Sequence, residues 1–236
     1  MKLDKVTNAG KGEEGRPEAG RQESRRWYDD ACGTALAMEL IGERWSLLIV
    51  RELMFGPRRF GELKGGLPGI SANVLTQRLE SMEAAGILAR RRLPSPANVQ
   101  VYDLTDWGRE AEVAMRELGR WAARSPRHDP FAFMSTASAM VSLRTLIDPA
   151  KAAGEAMTIA FRFPEDAFVA RLAGGELAIA RGDGPADITL TGDTMALRRT
   201  IYGKQGVDGP GTFTLTGDRA IAERFIELFR LPEKIT

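Results

Sequence analysis

An α+β protein in two domains is predicted by three observations on these 236 residues. Short apolar patterns of helical period crowd the first half, and two β-rich runs joined by a proline-rich turn follow them. Past about residue 127 the rhythm changes to strands that end in glycine and run into Asp-capped helices. The boundaries expected are a tail over residues 1–24, a first domain over 25–127 and a second over 128–236.

Residues 1–24 are mostly Gly, Glu, Lys and Arg with little to bury, so they cannot offset the entropy of ordering, and a disordered tail is expected. The remaining chain, at 43% hydrophobic overall, can build ordinary cores. Net charge is +1 with a pI of about 7.9, but residues 25–127 carry 16 basic against 13 acidic side chains, and residues 128–236 carry 12 against 14. The positive charge sits in the middle. One cysteine, no bilayer-length apolar run and no charged-then-apolar leader point to a cytoplasmic protein that does not enter membranes. The lone His128 and the lone Cys32 are far apart in sequence, so no Cys-His pair and no metal-ligand cluster is apparent; neither enzyme activity, metal nor cofactor is expected.

From Arg25 onward, Ala35, Leu36, Leu40 and Ile41 predict a first short helix ended by Gly42, and Trp45, Leu48, Ile49 and Leu53 predict a second; both read as core scaffold. Gly56-Pro57 stops the second helix. Phe60, Leu63 and Leu67 make a third, brief helical face that carries Arg58, Arg59 and Lys64, and Gly65-Gly66 loosens its end. Pro68-Gly69 suits the centre of a type II turn, and Ser71 is the N-cap of a fourth helix. In that helix Leu75, Leu79 and Met82 recur at i, i+4 and i+7, while Asn73, Thr76, Gln77, Glu80 and Ser81 form the other face; Gly86 ends it.

Neutral hydrogen-bonding side chains such as Asn73, Thr76 and Gln77 are what a helix needs to read base edges in the major groove, and Arg78 is a further candidate at the edge of the apolar stripe. The runs 87–93 and 99–104 predict a hairpin around Pro94-Ser-Pro-Ala-Asn98. Arg90, Arg91 and Arg92 on its first strand are expected to ride on a phosphate backbone. Thr105 caps a last helix in which Trp107, Ala111, Ala114, Leu118 and Trp121 repeat with four-three spacing, a short seam expected to pair two copies of the chain. Because this seam lies upstream of residue 128, deletion of residues 128–236 is expected to leave a folded dimer that still binds DNA.

These segments resemble the HxlR-type winged-helix transcriptional regulators, relatives of the MarR group. The resemblance extends from Cys32 to about Arg124 and is carried by Ile41-Gly-Glu-Arg-Trp45-Ser-Leu-Leu-Ile-Val-Arg-Glu-Leu53, Gly56-Pro-Arg-Arg-Phe60, Leu67-Pro-Gly-Ile-Ser71, Leu75-Thr-Gln-Arg-Leu79, and Tyr102-Asp-Leu-Thr105 with Gly108. It implies a homodimer on a palindromic or pseudo-palindromic operator of double-stranded DNA, with the helix over residues 70–85 in the major groove and the 87–104 hairpin as wing.

The second half contains an echo. Ile188-Thr-Leu-Thr-Gly-Asp193 and Phe213-Thr-Leu-Thr-Gly-Asp218 each predict a strand and a capped helix, over about 193–202 and 218–230. Residues 156–163, 168–172 and 176–181 predict three more strands, with Gly174-Gly175 as a hairpin turn, hence a largely antiparallel sheet. This half more weakly resembles the sterol-carrier-protein-like fold. The resemblance implies an apolar cavity that would sense an apolar or amphipathic small molecule, with Phe213, Phe225 and Phe229 as candidate lining; the structural alternative is that these aromatics are filled core.

Cys32 opens the first helix where many proteins of this resemblance carry a cysteine. Asp29 and Asp30 are expected to cap that helix and to raise the thiol pKa, against the helix N-terminus and Arg25 and Arg26, which would lower it; Cys32 is a candidate redox or electrophile sensor. The reading as a whole is a DNA-binding transcriptional regulator. The competing expectation is a lipid or apolar-ligand carrier whose winged helix contacts protein.

Overall fold

The computed structural model describes residues 28–235; the expected tail over 1–24, and Arg25 and Arg26, lie outside them. Helix α1 (Gly33–Ile41) is followed by α2 (Ser46–Leu53), α3 (Phe60–Gly66) and α4 (Ala72–Ala84). The expectation that α1 is core scaffold is corrected: no residue of it is buried, Leu36 and Met38 are 50% and 41% exposed, and Leu40 and Ile41 alone lean on the core. Among the described residues of one chain, its outer face is uncovered. By contrast, α2 buries Ile49, Val50 and Leu53 completely. It starts at Trp45, whose left-handed backbone (φ 82°) is costly for a side chain of this size; its ring leans on the core with the Arg44 guanidinium 5.1 Å from the ring centre.

Strands β1 (Leu88–Arg92) and β2 (Gln100–Leu104) pair antiparallel, with Leu88 opposite Leu104. A bridge from Arg58 to Tyr102 adds a third short arm, so the start of α3 is tied to the hairpin by two backbone hydrogen bonds of 2.9 and 2.8 Å. Helix α5 (Asp106–Ala123), capped by Thr105, closes the first half. Gly108 must be glycine here, because a Cβ would stand 1.9 Å from the Ile87 carbonyl oxygen.

The second half begins with α6 (Thr136–Leu146) and the single turn α7 (Pro149–Ala152). The strands are β3 (Met157–Arg162), β4 (Ala167–Ala173), β5 (Glu176–Arg181), β6 (Ile188–Thr191) and β7 (Thr214–Gly217), in the spatial order β5-β4-β3-β6-β7. The β3–β6 pair is parallel and the other three are antiparallel. The two halves of the sequence echo are neighbours, with Leu190 opposite Leu215. Each leads into an Asp-capped helix as expected: α8 (Thr194–Leu197), which continues as a π-helical turn over Arg198–Tyr202, and α9 (Arg219–Glu227). Helix α6 was not visible to periodicity. Ala137, Ala139, Met140, Val141 and Leu143 are all buried and none of its residues is exposed; Arg144 apart, its polar positions are short Ser and Thr side chains that mark no solvent face.

One apolar core runs through both halves. Phe55 from the end of α2 meets Phe168 of β4 edge-on at 5.5 Å between ring centroids. Polar groups cross the same boundary: the buried Glu52 carboxylate accepts from Ser135 Oγ at 2.7 Å, and Asp166 receives the guanidiniums of Arg58 and Arg181 together with Thr136 Oγ1. A cut at 128 would take Ser135 from Glu52 and Asp166 from Arg58, leaving Arg51 and Glu62 as their partners within the first half.

Candidate nucleic-acid interface

Helix α4 is presented as its sequence dictates. Gly69 takes the positive φ (91°) that the turn requires, and Ser71 Oγ accepts the Val74 N–H at 3.3 Å. Leu75, Leu79 and Met82 are buried, which leaves Asn73, Thr76, Gln77, Glu80 and Ser81 in one exposed row. Arg59 and Lys64 on the preceding helix are exposed as well. The glycine pair has a positive reason: α3 stays helical through Gly66, and a Cβ there would stand 2.5 Å from Glu52 Oε2. Gly66 lets α3 close on the carboxylate at the base of α2.

Two basic candidates are corrected. Arg58 is turned inward to Asp166 of the second half and lies 3.9 Å from Glu62, its side chain only 16% exposed. Arg78 reaches back to Glu43 at 3.4 Å, the internal ion pair that its place at the edge of the stripe made possible.

Nor do the three hairpin arginines form one arm. Successive strand residues point to opposite faces, so Arg90 and Arg92 share one side and Arg91 takes the other. Arg90 is held by Glu83 (2.9 Å) over the Tyr102 ring, Arg92 Nε donates to Asn98 at 2.8 Å, and Arg91 pairs with Asp103. Arg109 of α5 takes the other Asp103 oxygen at 2.8 Å. The sequence carries no sign of this clamp, because the burial of Asp103 (7% exposed) that calls for a cation is set by tertiary packing.

Of the seam on α5, Trp107, Leu118 and Trp121 are 51%, 46% and 73% exposed and Ala114 is exposed beside them, whereas Ala111 is half-buried against its own core. Cys32 is exposed and is itself the N-cap of α1. Asp29 and Asp30 therefore do not cap that helix as expected; Asp30 instead accepts the Cys32 N–H at 2.9 Å. The Thr34 backbone amide first, then the Thr34 hydroxyl and the Ala35 amide, hold the thiol below its ordinary range.

Phe213, Phe225 and Phe229 do not line an opening. They are 0%, 0% and 1% exposed and pack on Phe161, Phe163 and one another at 4.8–6.1 Å. Five rings at these separations fill the space between sheet and helices, so their expected role as pocket lining is replaced by core packing. Among the described residues, no group of three His, Cys, Asp or Glu side chains is placed to hold a metal ion.

An HxlR-like helix-turn-helix family model matches residues 40–129, and an alkyl sulfatase C-terminal family model matches residues 128–235. The second name is not the sterol-carrier-protein-like one, and that likeness rests on sequence pattern alone. The chain is 36% identical over 87 residues to YvaP, an uncharacterized HTH-type transcriptional regulator of Bacillus subtilis, covering 36% of this chain and 80% of that protein. To the HTH-type transcriptional regulator YodB of the same organism it is 37% identical over 86 residues, covering 36% and 77%. The solved reduced form of YodB superimposes with a TM-score of 0.38 at 33% identity, over 42% of this chain and 100% of that one. Relatives over this segment are transcriptional regulators, and a carrier whose winged helix contacts protein is not favoured.

Proposed function

The chain belongs to the HxlR-like helix-turn-helix family of DNA-binding transcriptional regulators, and we propose that it acts as a homodimer on a two-fold-symmetric operator with α4 in the major groove. The observation that carries this reading is the exposed row Asn73, Thr76 and Gln77 on α4, capped at Ser71 and flanked by Arg59 and Lys64. Neutral side chains read base edges, and the cations at the side meet phosphates. Arg91 and Arg92 on the exposed hairpin supply wing contacts once the backbone of DNA competes for them; Arg58 and Arg78 play no such part. The second domain serves as an effector module, and the protein works in the cytoplasm; among the described residues no helix is long and apolar enough to cross a membrane.

The test is a titration of duplex DNA from the gene's own upstream region across salt concentrations. Affinity should fall with a log-log slope near −0.9 for each phosphate contacted. Gln77→Ala should lose about 1–3 kcal/mol at one base position, while Lys64→Ala should weaken all sequences alike and flatten the slope by about one. No binding at low salt would overturn the assignment.

Cys32 is proposed as an electrophile-responsive thiol, because the Thr34 and Ala35 groups around the exposed sulfur favour its thiolate. Its alkylation by iodoacetamide should rise with pH at a midpoint below that of free cysteine. Benzoquinone should release DNA from the wild type and not from Cys32→Ser; identical behaviour of the two would make Cys32 structural.

A further inference from the structure

A cavity of about 550 Å³ lies where α2 and α5 of the first half face α6 and the π-helical turn of the second. That volume is within the range of small-molecule sites. Its walls are largely apolar, with Leu47, Leu48, Met115, Leu118, Met134 and Val141 among them. In the same lining stands Arg198, 6% exposed. Its Nε donates to the Thr194 carbonyl at 3.1 Å and its Nη1 to the carbonyls of Pro130 and Ala132.

Among the described residues no carboxylate pairs with Arg198, and its Nη2 has no acceptor. A buried guanidinium without a counter-charge is expensive, and an anion in the cavity would supply one. Arg51 lines the same space and engages Glu52 through Nε and Nη2, leaving Nη1. Asp129 is the acidic residue of the lining; it is exposed and accepts the Phe131 N–H at 2.8 Å.

Gly119 belongs to the same lining. It sits inside α5, where glycine costs roughly 0.5–1 kcal/mol relative to alanine, yet nothing lies within 4 Å of where its Cβ would be. Gly119 is exposed at the rim of the cavity, so a larger side chain there would have open space to grow into.

We propose that this cavity binds a small organic anion with an apolar body, its tail among the leucines and methionines and its anionic head at Arg198. That ligand binding would bias DNA binding rests on the regulator reading above, since Leu118 belongs both to this cavity and to the face assigned to the dimer; the binding itself does not depend on that reading.

The full chain should be titrated with 8-anilinonaphthalene-1-sulfonate, an apolar-bodied anion, followed by displacement with decanoate and, separately, with decanol. Saturable displacement is expected, at least tenfold tighter for decanoate. Gly119→Phe, which fills the space, should abolish both, and Arg198→Gln should erase the preference for the carboxylate. Should Arg198→Gln fail to fold, the decanoate-to-decanol ratio of the wild type and its loss in folded Gly119→Phe decide the matter.

Equal displacement by the two compounds, unsaturable displacement, or undiminished binding by folded Gly119→Phe would overturn the proposal. So would an inert decanoate together with a dimer-to-monomer shift in Gly119→Phe, which would mean that a second copy fills the cavity. Because no DNA is present in these measurements, failure of the regulator reading would not be confused with failure of this one.

Discussion

Glu52 shows how one buried charge constrains its neighbours. Its Oε1 accepts from Arg51 at 2.9 and 2.7 Å and from Ser135 at 2.7 Å, so the carboxylate cannot swing aside, and α3 can approach it only where a residue has no Cβ. Gly66→Ala should therefore destabilise the protein by about 1–3 kcal/mol through overpacking. Gly65→Ala, where nothing lies within 4 Å of the new methyl group, should be neutral or slightly stabilising. Urea midpoints of the two variants check this pair, and a Gly66→Ala midpoint equal to the wild type would mean that Glu52 is free to move. The two adjacent glycines look alike in sequence, and only the carboxylate approaching from α2 separates them.

At the scale of elements, α1 and α5 each present an apolar face. Among the described residues, Leu36 and Met38 on α1 and Trp107, Leu118 and Trp121 on α5 are large apolar side chains left exposed in one chain. Leu118→Glu and Trp121→Glu should each shift the dimer toward monomer by placing a charge in the contact, and light scattering at matched concentrations reads this directly. A dimer unchanged by both would move the interface off α5. The hairpin repeats the lesson at smaller size: a run of three arginines looks like one basic patch, and strand alternation divides it between two faces.

Across the whole molecule, the two domains are held together by charge as well as by apolar packing. Asp166, its side chain 8% exposed, neutralises Arg58 from the first domain and Arg181 from its own. Asp166→Ala would leave the Arg181 guanidinium partly buried with only the Phe55 carbonyl, and Arg58 with only Glu62 at 3.9 Å, and should cost about 3 kcal/mol. Since the Arg58 backbone is also bonded to Tyr102 of the hairpin, the same substitution should loosen the start of α3 and weaken DNA binding; denaturant unfolding and the salt titration check the two effects. Unchanged stability would mean that the halves are independent.

The local elements were legible because their causes are local. A proline-glycine turn, a serine cap, an i, i+4, i+7 stripe and two Gly-Asp strand exits each act within a few residues, so α4, the hairpin and the echoed β6 and β7 could be placed from the chain alone. What only the tertiary structure decided are the partners of charges and aromatics. Arg58 meets Asp166 across 108 residues, and Phe213 packs on Phe161 rather than beside a ligand. The cavity, too, is built from helices of both halves. An arginine or a phenylalanine has the same local signature whether it faces DNA, a ligand or a core, because side-chain type sets what a group can bind, and the fold sets what stands within reach of it.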